Sequence, residues 1–588
     1  MSLFPAPRSL PPAMRQARSS LLLTFPLALS LVCSQAHAQA APDAGTLQRE
    51  AEQAIRALPA SPQPVPQPAP PMVETDKAAR VTVQSFVIDG ATLIAESELQ
   101  ALLADLRGQS LTLAELEQAA QRLAQHYRQR GWYVRVYLPV QDVTAGQLRL
   151  QVVEGRYGGV RREDAGSRAD GAFVESMVTA GLAPGLPLPA NALERGLLLA
   201  NDLAGVRATG VLEAGDEPGT TRLLLRVEDT PFISGDIGAN NHGIKSSGFA
   251  QVVGGVTLNN LSGRGDRAAL RLLATERLHN VLLQYATPLG SDGWSVAVHA
   301  SALDYRLGGD FLDLDATGHA TAAGLALSYA LVRSSESNLA LTLGAEQRRF
   351  EDKNLGETLR RRQIEVYSLG LRGDAVDSLG GGGLSRGDLQ LSTGRLHLAD
   401  VGGDPAADAA GPRSAGGYTK VAMDVSRLQR LPLAGWQVQA TLSGQLADGN
   451  LSSAEQFTLG GAYGVRAYPG NEGVGDEGAL FKLELQRELG SGWQAQLFYD
   501  AGYIRQHKRT WEGWRDGSDQ PNAYRLAGAG LGLSWLQATP GRWLKGWRLS
   551  AAVAAPLGDN PGESADGRNN DGSRPSQARA WVSAVAAF

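Results

Sequence analysis

The sequence predicts a membrane all-β protein in which residues 231–588 form a transmembrane β-barrel of about sixteen strands. Candidate strands of roughly ten residues alternate apolar and polar side chains throughout this region, as expected where one face meets lipid. Short turns and long polar loops alternate between them, and an aromatic residue, Phe588, ends the last strand. A soluble sandwich would also alternate, but its apolar face points into a core. We therefore expect a closed barrel, which satisfies every backbone polar group in lipid.

The N-terminus has the pattern of an export signal, predicted to occupy residues 1–38. A positive region precedes an apolar run, Leu21–Cys33, and the small-x-small sequence Ala36-His37-Ala38 offers a cleavage site. The run is too short to span a bilayer, which takes about 20 residues. Cys33 is the only cysteine and is expected to leave with the signal, so no disulfide is expected.

A short helix and a linker are expected after the signal. Residues 39–60 carry apolar side chains at helical spacing, at Leu47, Ala51, Ala54, Ile55 and Leu58. Residues 61–79 are rich in proline and predict an extended tether.

Residues 80–155 and 156–230 each predict a small β-α-α-β-β domain. In the first, we expect a strand over residues 81–89, a helix over Glu96–Leu106, and a second helix opened by a capping box of Thr112 and Glu115. Two strands close this domain, Tyr133–Val140 and Gln147–Val153. The second domain predicts a helix over Ala192–Leu203 with a capping box of Asn191 and Glu194, and a last strand over Thr221–Val227.

The period-two pattern of the barrel is clearest in Trp436–Leu446 and Ala479–Glu488, and weaker in Arg267–Ala274. In such barrels the short turns face the periplasm and the long loops face outside. Long loops are predicted at Ala399–Gly417, Leu451–Gly478, Arg509–Asn522 and Gly558–Gln577. These features place the protein in a bacterial outer membrane, with the two small domains in the periplasm.

Signatures of catalysis and of metal or nucleotide binding are missing from the sequence, so neither an enzyme nor a cofactor is expected. The histidines of the expected mature chain are scattered singly. Gly528, Gly530 and Gly532 are not followed by a helix, so we interpret them as a strand face with small side chains. A net charge of −5 shows no basic excess for a nucleic-acid partner.

One loop and one strand carry the informative polar residues. The loop contains Arg466 among glycines, and the strand beginning near Trp493 alternates so that Phe498, Asp500 and Gly502 face the lumen. An inward Asp needs water or a partner, and Arg466 could supply a bidentate contact that holds the loop inside the barrel. Spacing alone leaves open whether the two residues meet.

At these residues the chain resembles the two-partner secretion transporters (TpsB type), which export filamentous haemagglutinins and haemolysins. The resemblance covers the mature chain and rests on three motifs in the family's order. They are Leu193-Glu194-Arg195 with Asn201-Asp202-Leu203, then Val465-Arg466-Ala467-Tyr468, then Phe498, Asp500 and Gly502. Ala467 stands where many members of the superfamily have Gly, which leaves only the fine conformation of the loop in doubt.

The resemblance implies a plug helix at Thr46–Ala60 in the pore, two POTRA domains (POTRA 1, residues 80–155; POTRA 2, residues 156–230) and a contact between Arg466 and Asp500. It implies that POTRA domains capture an unfolded exoprotein, a large β-helical adhesin or haemolysin-like protein, without nucleotide. A strand edge could accept it by β-augmentation, at Tyr133, Val134, Arg135, Val136 and Tyr137.

Further expected partners are the barrel-assembly machinery, through a signal ending at Phe588, and outer-membrane lipid. Three alternatives remain. A barrel-assembly insertase of the same superfamily usually carries more POTRA units than fit in about 150 residues. A plain porin would need no POTRA pair, and a surface enzyme would need catalytic residues.

Overall fold

The computed structural model of the protein describes residues 41–56, 80–141, 146–515, 520–538 and 544–588. The predicted signal peptide and the proline-rich linker lie outside these ranges. None of the helices in the described ranges is both long and apolar enough to cross a membrane.

Helix α1 (Ala44–Arg56) lies inside the barrel. It begins before the predicted Thr46 because Asp43 caps it, accepting hydrogen bonds from the Thr46 amide and hydroxyl at 3.0 Å each. Residues 57–60 of the predicted helix lie outside the described ranges. The apolar face of α1 is buried against inward-facing side chains of the barrel wall, and its buried residues include Ala44, Leu47, Ala51 and Ala54.

POTRA 1 folds around a three-stranded sheet covered by helices. Its elements are β1 (Arg80–Thr82), β2 (Ser85–Asp89), α2 (Glu96–Leu102), β3 (Ser110–Thr112), α3 (Leu113–Gln129), β4 (Val134–Tyr137) and β5 (Gln147–Glu154). The sheet has the order β2-β5-β4, with β2 and β5 parallel, while β1 and β3 form a separate pair. The helices bury their apolar faces on the sheet, so the domain has its own core.

Three predictions for POTRA 1 were wrong in detail. The strand over residues 81–89 is two strands, because Val83 and Gln84 turn their N–H groups to other segments. The helix from Glu96 ends at Leu102, and a separate 3₁₀ turn covers Ala104–Leu106. The strand Tyr133–Val140 is only Val134–Tyr137, and Pro139 beyond it has no N–H to donate to a ladder.

The predicted capping box of α3 is confirmed. The Thr112 amide donates to Glu115 Oε2 at 2.6 Å, and the Glu115 amide donates to Thr112 Oγ1 at 3.3 Å. At the far end of the domain Tyr127 donates to Glu154 at 2.9 Å. Burial alone would raise the pKa of the Glu154 carboxyl, but hydrogen bonds from Leu93, Thr92 and Tyr127 hold that pKa below its ordinary value.

POTRA 2 repeats the pattern with a sheet of order β6-β8-β7. Its elements are β6 (Arg156–Asp164), α4 (Gly171–Thr179), α5 (Ala190–Asp202), β7 (Val206–Ala214) and β8 (Thr220–Asp229). The predicted capping box at Asn191 was wrong: α5 begins after Pro189, without a side-chain cap. The Ala190 amide donates to Gly131 of POTRA 1 instead, and the Glu194 carboxylate is engaged by the barrel.

A short extended segment of POTRA 2 joins the two domains. Residues 185–190 lie between the backbone around Gly155 and the end of α3, and they bond to both. The Leu188 amide donates to Gly155 at 3.1 Å, while the Leu188 carbonyl accepts from the Tyr133 amide at 3.2 Å. These backbone bonds tie POTRA 1 to POTRA 2.

Residues from Ile233 onward form a closed barrel of sixteen antiparallel strands, as the sequence predicts. The first eleven are β9 (Ile233–Asn240), β10 (Gln251–Asn259), β11 (Arg267–Ala274), β12 (Leu278–Leu289), β13 (Trp294–Arg306), β14 (Thr317–Arg333), β15 (Ser337–Asn354), β16 (Glu357–Asp377), β17 (Gly383–Leu398), β18 (Gly416–Arg430) and β19 (Trp436–Ala447). Helix α6 (Asp404–Ala410) lies between β17 and β18. A hairpin of β20 (Phe457–Thr458) and β21 (Val474–Gly475) follows β19. The last five barrel strands are β22 (Glu477–Gly490), β23 (Trp493–Arg505), β24 (Ala523–Ala538), β25 (Gly546–Pro556) and β26 (Arg579–Ala587).

Strand β23 has the predicted alternation. Leu497 and Tyr499 are exposed on the outer surface, whereas Phe498 and Asp500 are buried. The exposed faces of the strands are apolar, as an outer wall in contact with lipid requires.

Helix α5 of POTRA 2 docks on the short turns of the barrel. Asp202 and Arg333 form a bidentate pair with two 2.7 Å contacts. Glu194 accepts from the Ser335 amide at 2.8 Å, and Arg195 donates to the Ala330 carbonyl at 2.7 Å. The Leu-Glu-Arg and Asn-Asp-Leu motifs therefore lie at the interface between POTRA 2 and the barrel.

Candidate functional site

The candidate site is the inner surface of the barrel where loop 6, residues 448–476 between β19 and β22, folds into the lumen. All four residues of its motif, Val465, Arg466, Ala467 and Tyr468, are buried. The Val465 amide donates to the Leu459 carbonyl at 2.7 Å, which folds the loop back on itself. A Cβ on Gly464 would lie 1.7 Å from that carbonyl oxygen, so this turn requires glycine.

Arg466 and Asp500 meet in a bidentate ion pair. Arg466 donates from Nε to Asp500 Oδ2 at 2.8 Å and from Nη2 to Oδ1 at 2.7 Å, and its amide donates to Oδ2 at 3.1 Å. Asp500 is fully buried and Arg466 is 6% exposed. Removing one partner from such a pair leaves an uncompensated buried charge, which typically costs about 3–5 kcal/mol.

Two further side chains complete the arginine pocket. Glu484 on β22 receives Arg466 Nη1 at 2.8 Å, so the guanidinium lies between two carboxylates. The ring of Phe498 lies under it, with 3.6 Å between Cζ and the ring centroid, a cation–π geometry. The sequence predicts Phe498 on the inner face but not the contact between Arg466 and Glu484. The register supplies it, because Glu484 pairs directly with Phe498 across β22 and β23.

Glycines of the wall make room for the loop. A Cβ on Gly528 would lie 2.4 Å from the Cβ of Ala467, and one on Gly502 would lie 2.4 Å from the Leu459 side chain. Gly530 leaves space for the Phe498 ring in the same way. The small-residue strand face predicted at Gly528, Gly530 and Gly532 is thus the surface on which loop 6 and its supporting side chains pack.

Helix α1 shares the lumen with loop 6 and contacts it. Arg49 donates to the Ser453 carbonyl, and Ser453 Oγ donates to Asp43 at 2.7 Å. The amide of Ala44 donates to Asp352 on β15 at 2.8 Å, which fixes the N-terminus of the helix to the wall.

Among the residues that the structure describes, one of the five predicted edge residues of POTRA 1 already has a backbone partner in POTRA 2. Tyr133 donates its amide to Leu188 of POTRA 2, so it does not offer that group to an incoming strand. Val134, Arg135, Val136 and Tyr137 form β4 at the edge of the sheet, and Arg135 and Tyr137 are exposed.

Phe588 lies at the other end of the chain, on the periplasmic side of the barrel. Its amide donates to the Gly235 carbonyl at 2.9 Å, and its carbonyl accepts from the Gly235 amide at 3.0 Å. The Phe588 ring packs over Gly235, where a Cβ would lie 2.5 Å from it. The last residue therefore extends the pairing between the last and first strands.

The chain is similar to several known proteins. A model of the haemolysin secretion/activation protein family, ShlB/FhaC/HecB, matches residues 219–535, and a model of the ShlB-type POTRA domain matches residues 81–155. The heme/hemopexin transporter protein HuxB of Haemophilus influenzae is 26% identical over 536 residues, covering 88% of this chain and 92% of the relative.

Two solved structures share the fold. CdiB from Escherichia coli superposes with a TM-score of 0.62 at 24% identity, covering 92% of this chain and 95% of CdiB. BamA from Haemophilus ducreyi, solved without its POTRA domains 1–3, has a TM-score of 0.53 at 16% identity, covering 87% and 100%.

The fold and the loop in its lumen define an outer-membrane transporter of the two-partner secretion class, with its POTRA domains in the periplasm. Since the family match spans more than half of the sequence, the chain belongs to the haemolysin secretion/activation protein family ShlB/FhaC/HecB. Transporters of this family export a partner protein.

Proposed function

We propose that this transporter receives its partner as an unfolded exoprotein at the POTRA domains and passes it through the lumen when α1 and loop 6 withdraw. The observation that carries this proposal is the buried Arg466–Asp500 pair, which holds loop 6 across the lumen. A charge pair of this kind is specific in geometry yet can be exchanged for water once the loop moves. Loop 6 is then a gate that closes the lumen, and its contact with Asp500 holds it in position.

The partner is a large β-helical adhesin or a haemolysin-like protein. The family is named for haemolysin secretion and activation, which favours a haemolysin-like partner. The rest of the POTRA 1 edge, Val134 to Tyr137, offers it backbone groups for β-augmentation. Folding of the partner outside prevents its return and drives export, so the transporter needs neither catalysis nor a cofactor. The barrel-assembly machinery recognises the signal that ends at Phe588. The apolar outer wall contacts outer-membrane lipid.

The test is Asp500→Ala, measured as the amount of partner in the medium. We expect secretion to fall by about tenfold or more, since the buried Arg466 charge loses its main partner and loop 6 loses the position from which it opens. Heat-modifiable migration of the barrel should be unchanged, because the Asp500 side chain bonds to loop 6, while the backbone of β23 keeps its pairing with β22 and β24. The control is Asp388→Ala on β17, which breaks a 2.7 Å pair with the exposed Arg372. Normal secretion by Asp500→Ala would refute the anchor role.

A barrel-assembly insertase is the competing function, since BamA shares the fold. A strain that lacks the transporter distinguishes the two functions. Loss of the transporter should abolish secretion of the partner and leave the other outer-membrane proteins at normal levels. A general fall in those proteins would instead identify an insertase.

A further inference from the structure

The first and last strands of the barrel, β9 and β26, meet in a short ladder. They share five residue pairs, from Ser583↔Asn240 to Ala587↔Asp236, whereas β25 and β26 share nine. In the described residues, β9 ends at Asn240 while β26 continues outward to Arg579. This seam is therefore weaker toward its extracellular end, because strand pairing stops before the last strand does.

Asn241, the residue after β9, continues the ladder with its amide, which donates to the Val582 carbonyl at 3.3 Å, and with its side chain. Asn241 donates from Nδ2 to the Ala580 carbonyl at 2.9 Å and accepts from the Val582 amide at 2.8 Å. These contacts imitate a pair of strand hydrogen bonds. They bracket Trp581, whose side chain points into the lumen and is 7% exposed.

Trp581 connects the seam with loop 6. Its indole Nε1 donates to the carbonyl oxygen of Arg466 at 2.7 Å in a buried contact. The ring of His242, next to Asn241, stacks edge-on against Trp581 at 5.7 Å and against Tyr463 of loop 6 at 5.3 Å. His242 Nδ1 also lies 3.1 Å from the Tyr463 hydroxyl. The two sides of the seam thus share one small cluster with the loop motif.

We propose that Trp581 is a positioning residue that couples the seating of loop 6 to closure of the seam. While loop 6 is seated, the Arg466 carbonyl and the Tyr463 ring hold Trp581 and His242 in contact, an arrangement that we call the brace. When loop 6 leaves, this brace is lost and Asn241 alone holds the extracellular end of the seam. When loop 6 leaves the lumen, the pore then widens because β9 and β26 can separate. The consequence for secretion rests on the proposed function, whereas the coupling does not.

The first measurement is the accessibility of loop 6. Cys33 is the only cysteine and lies in the predicted signal, so Ala462→Cys in loop 6 gives a unique thiol for a membrane-impermeant maleimide on whole cells. Trp581→Phe keeps an aromatic ring at this position but removes the indole N–H donor. We expect the labelling rate to rise roughly fivefold, the effect of losing one ordinary buried hydrogen bond. The control, Trp535→Phe, alters an indole on β24 that stacks on Trp493 rather than on loop 6.

The second measurement is closure of the seam. Ala239 and Ala584 are paired across it, so a cysteine at each should form a disulfide under mild oxidation. Trp581→Phe should slow this cross-link, and so should Asp500→Ala, which unseats loop 6 from the other side. The two substitutions together should slow it little more than either alone, since both release the same brace.

His242→Leu provides a second route if Trp581→Phe does not assemble. It removes both ring contacts from outside the strands, and the labelling rate should rise as well. Labelling and cross-linking at the rates of Trp535→Phe, in Trp581→Phe or in His242→Leu, would overturn the coupling. If Asp500→Ala secretes normally while Trp581→Phe changes labelling and cross-linking, the proposed gate fails and the coupling stands.

Discussion

At the scale of single residues, loop 6 can pack against the lumen wall only where the wall lacks a side chain. Gly528 faces Ala467 so closely that any Cβ there would lie 2.4 Å from the alanine methyl group. The motif can reach Asp500 only if its backbone comes this near to the wall. A residue without a side chain is therefore as necessary to the arginine pocket as the two charges.

This close approach predicts a sharp contrast between two glycines. Gly528→Ala should prevent full seating of the motif, at a typical overpacking cost of about 1–3 kcal/mol, and secretion should fall several-fold. The matched change is Gly387→Ala on β17, where a Cβ would meet nothing within 4 Å. Secretion assays on both variants, normalised to folded barrel, decide the point. Equal secretion by the two would show that Gly528 is not a seating contact.

The sequence could predict part of this pocket and not the rest. Period-two alternation places Asp500 and Phe498 on the inner face, because side chains of a strand alternate strictly. It cannot show that Glu484 and Trp581 reach the same arginine, since those contacts depend on how distant strands are registered and on the course of a long loop. The motif resemblance indicates the arginine contact itself.

At the scale of secondary structure elements, α5 shows why a local rule failed. Asn191 and Glu194 have the spacing of a capping box, but the helix is started by Pro189 and by the junction with POTRA 1. Glu194 is then free to accept the Ser335 amide of the barrel. Glu194 is thus engaged in a tertiary contact, which a local sequence pattern cannot predict. The Thr112 box of α3 has no such competitor and was predicted correctly.

The docking of α5 predicts a change in local stability rather than in global stability. Asp202→Ala removes the bidentate partner of Arg333, but the pair is partly exposed, so the loss should be at most about 1 kcal/mol. We expect faster hydrogen exchange at α5 and at the Ser335 amide in nanodiscs. Asp216→Ala is the control, because it breaks an ion pair to Arg222 within POTRA 2. Unchanged exchange at both places would show that the ion pair does not hold POTRA 2.

At the scale of the whole molecule, the lumen contains two elements that are far apart in the sequence and contact each other, α1 and loop 6. Gly45 of α1 packs so closely on loop 6 that a Cβ would lie 2.7 Å from Ser453 Oγ. Arg49 reaches the Ser453 carbonyl as well. Asp43 joins α1 to both Ser453 and Arg362 of the wall. Movement of either element therefore disturbs the other, and the closed state is a property of the pair.

The contacts between α1, loop 6 and the wall predict which changes raise the ion conductance of the pore. A helix is roughly 10–12 Å across with its side chains, so removing α1 should open a continuous path for ions. Deleting Gln39–Pro71 should raise single-channel conductance in a planar bilayer. Asp352→Ala should give a smaller rise, because α1 itself loses only the bond from its Ala44 amide, while the Asp43 contacts remain; the Tyr305 hydroxyl of the wall, which donates to Asp352 at 2.6 Å, also loses its acceptor. Asp304→Ala on β13, with an exposed side chain, should conduct like the unmodified protein. If the deletion leaves conductance unchanged, α1 is not what closes the pore, and loop 6 alone must do so.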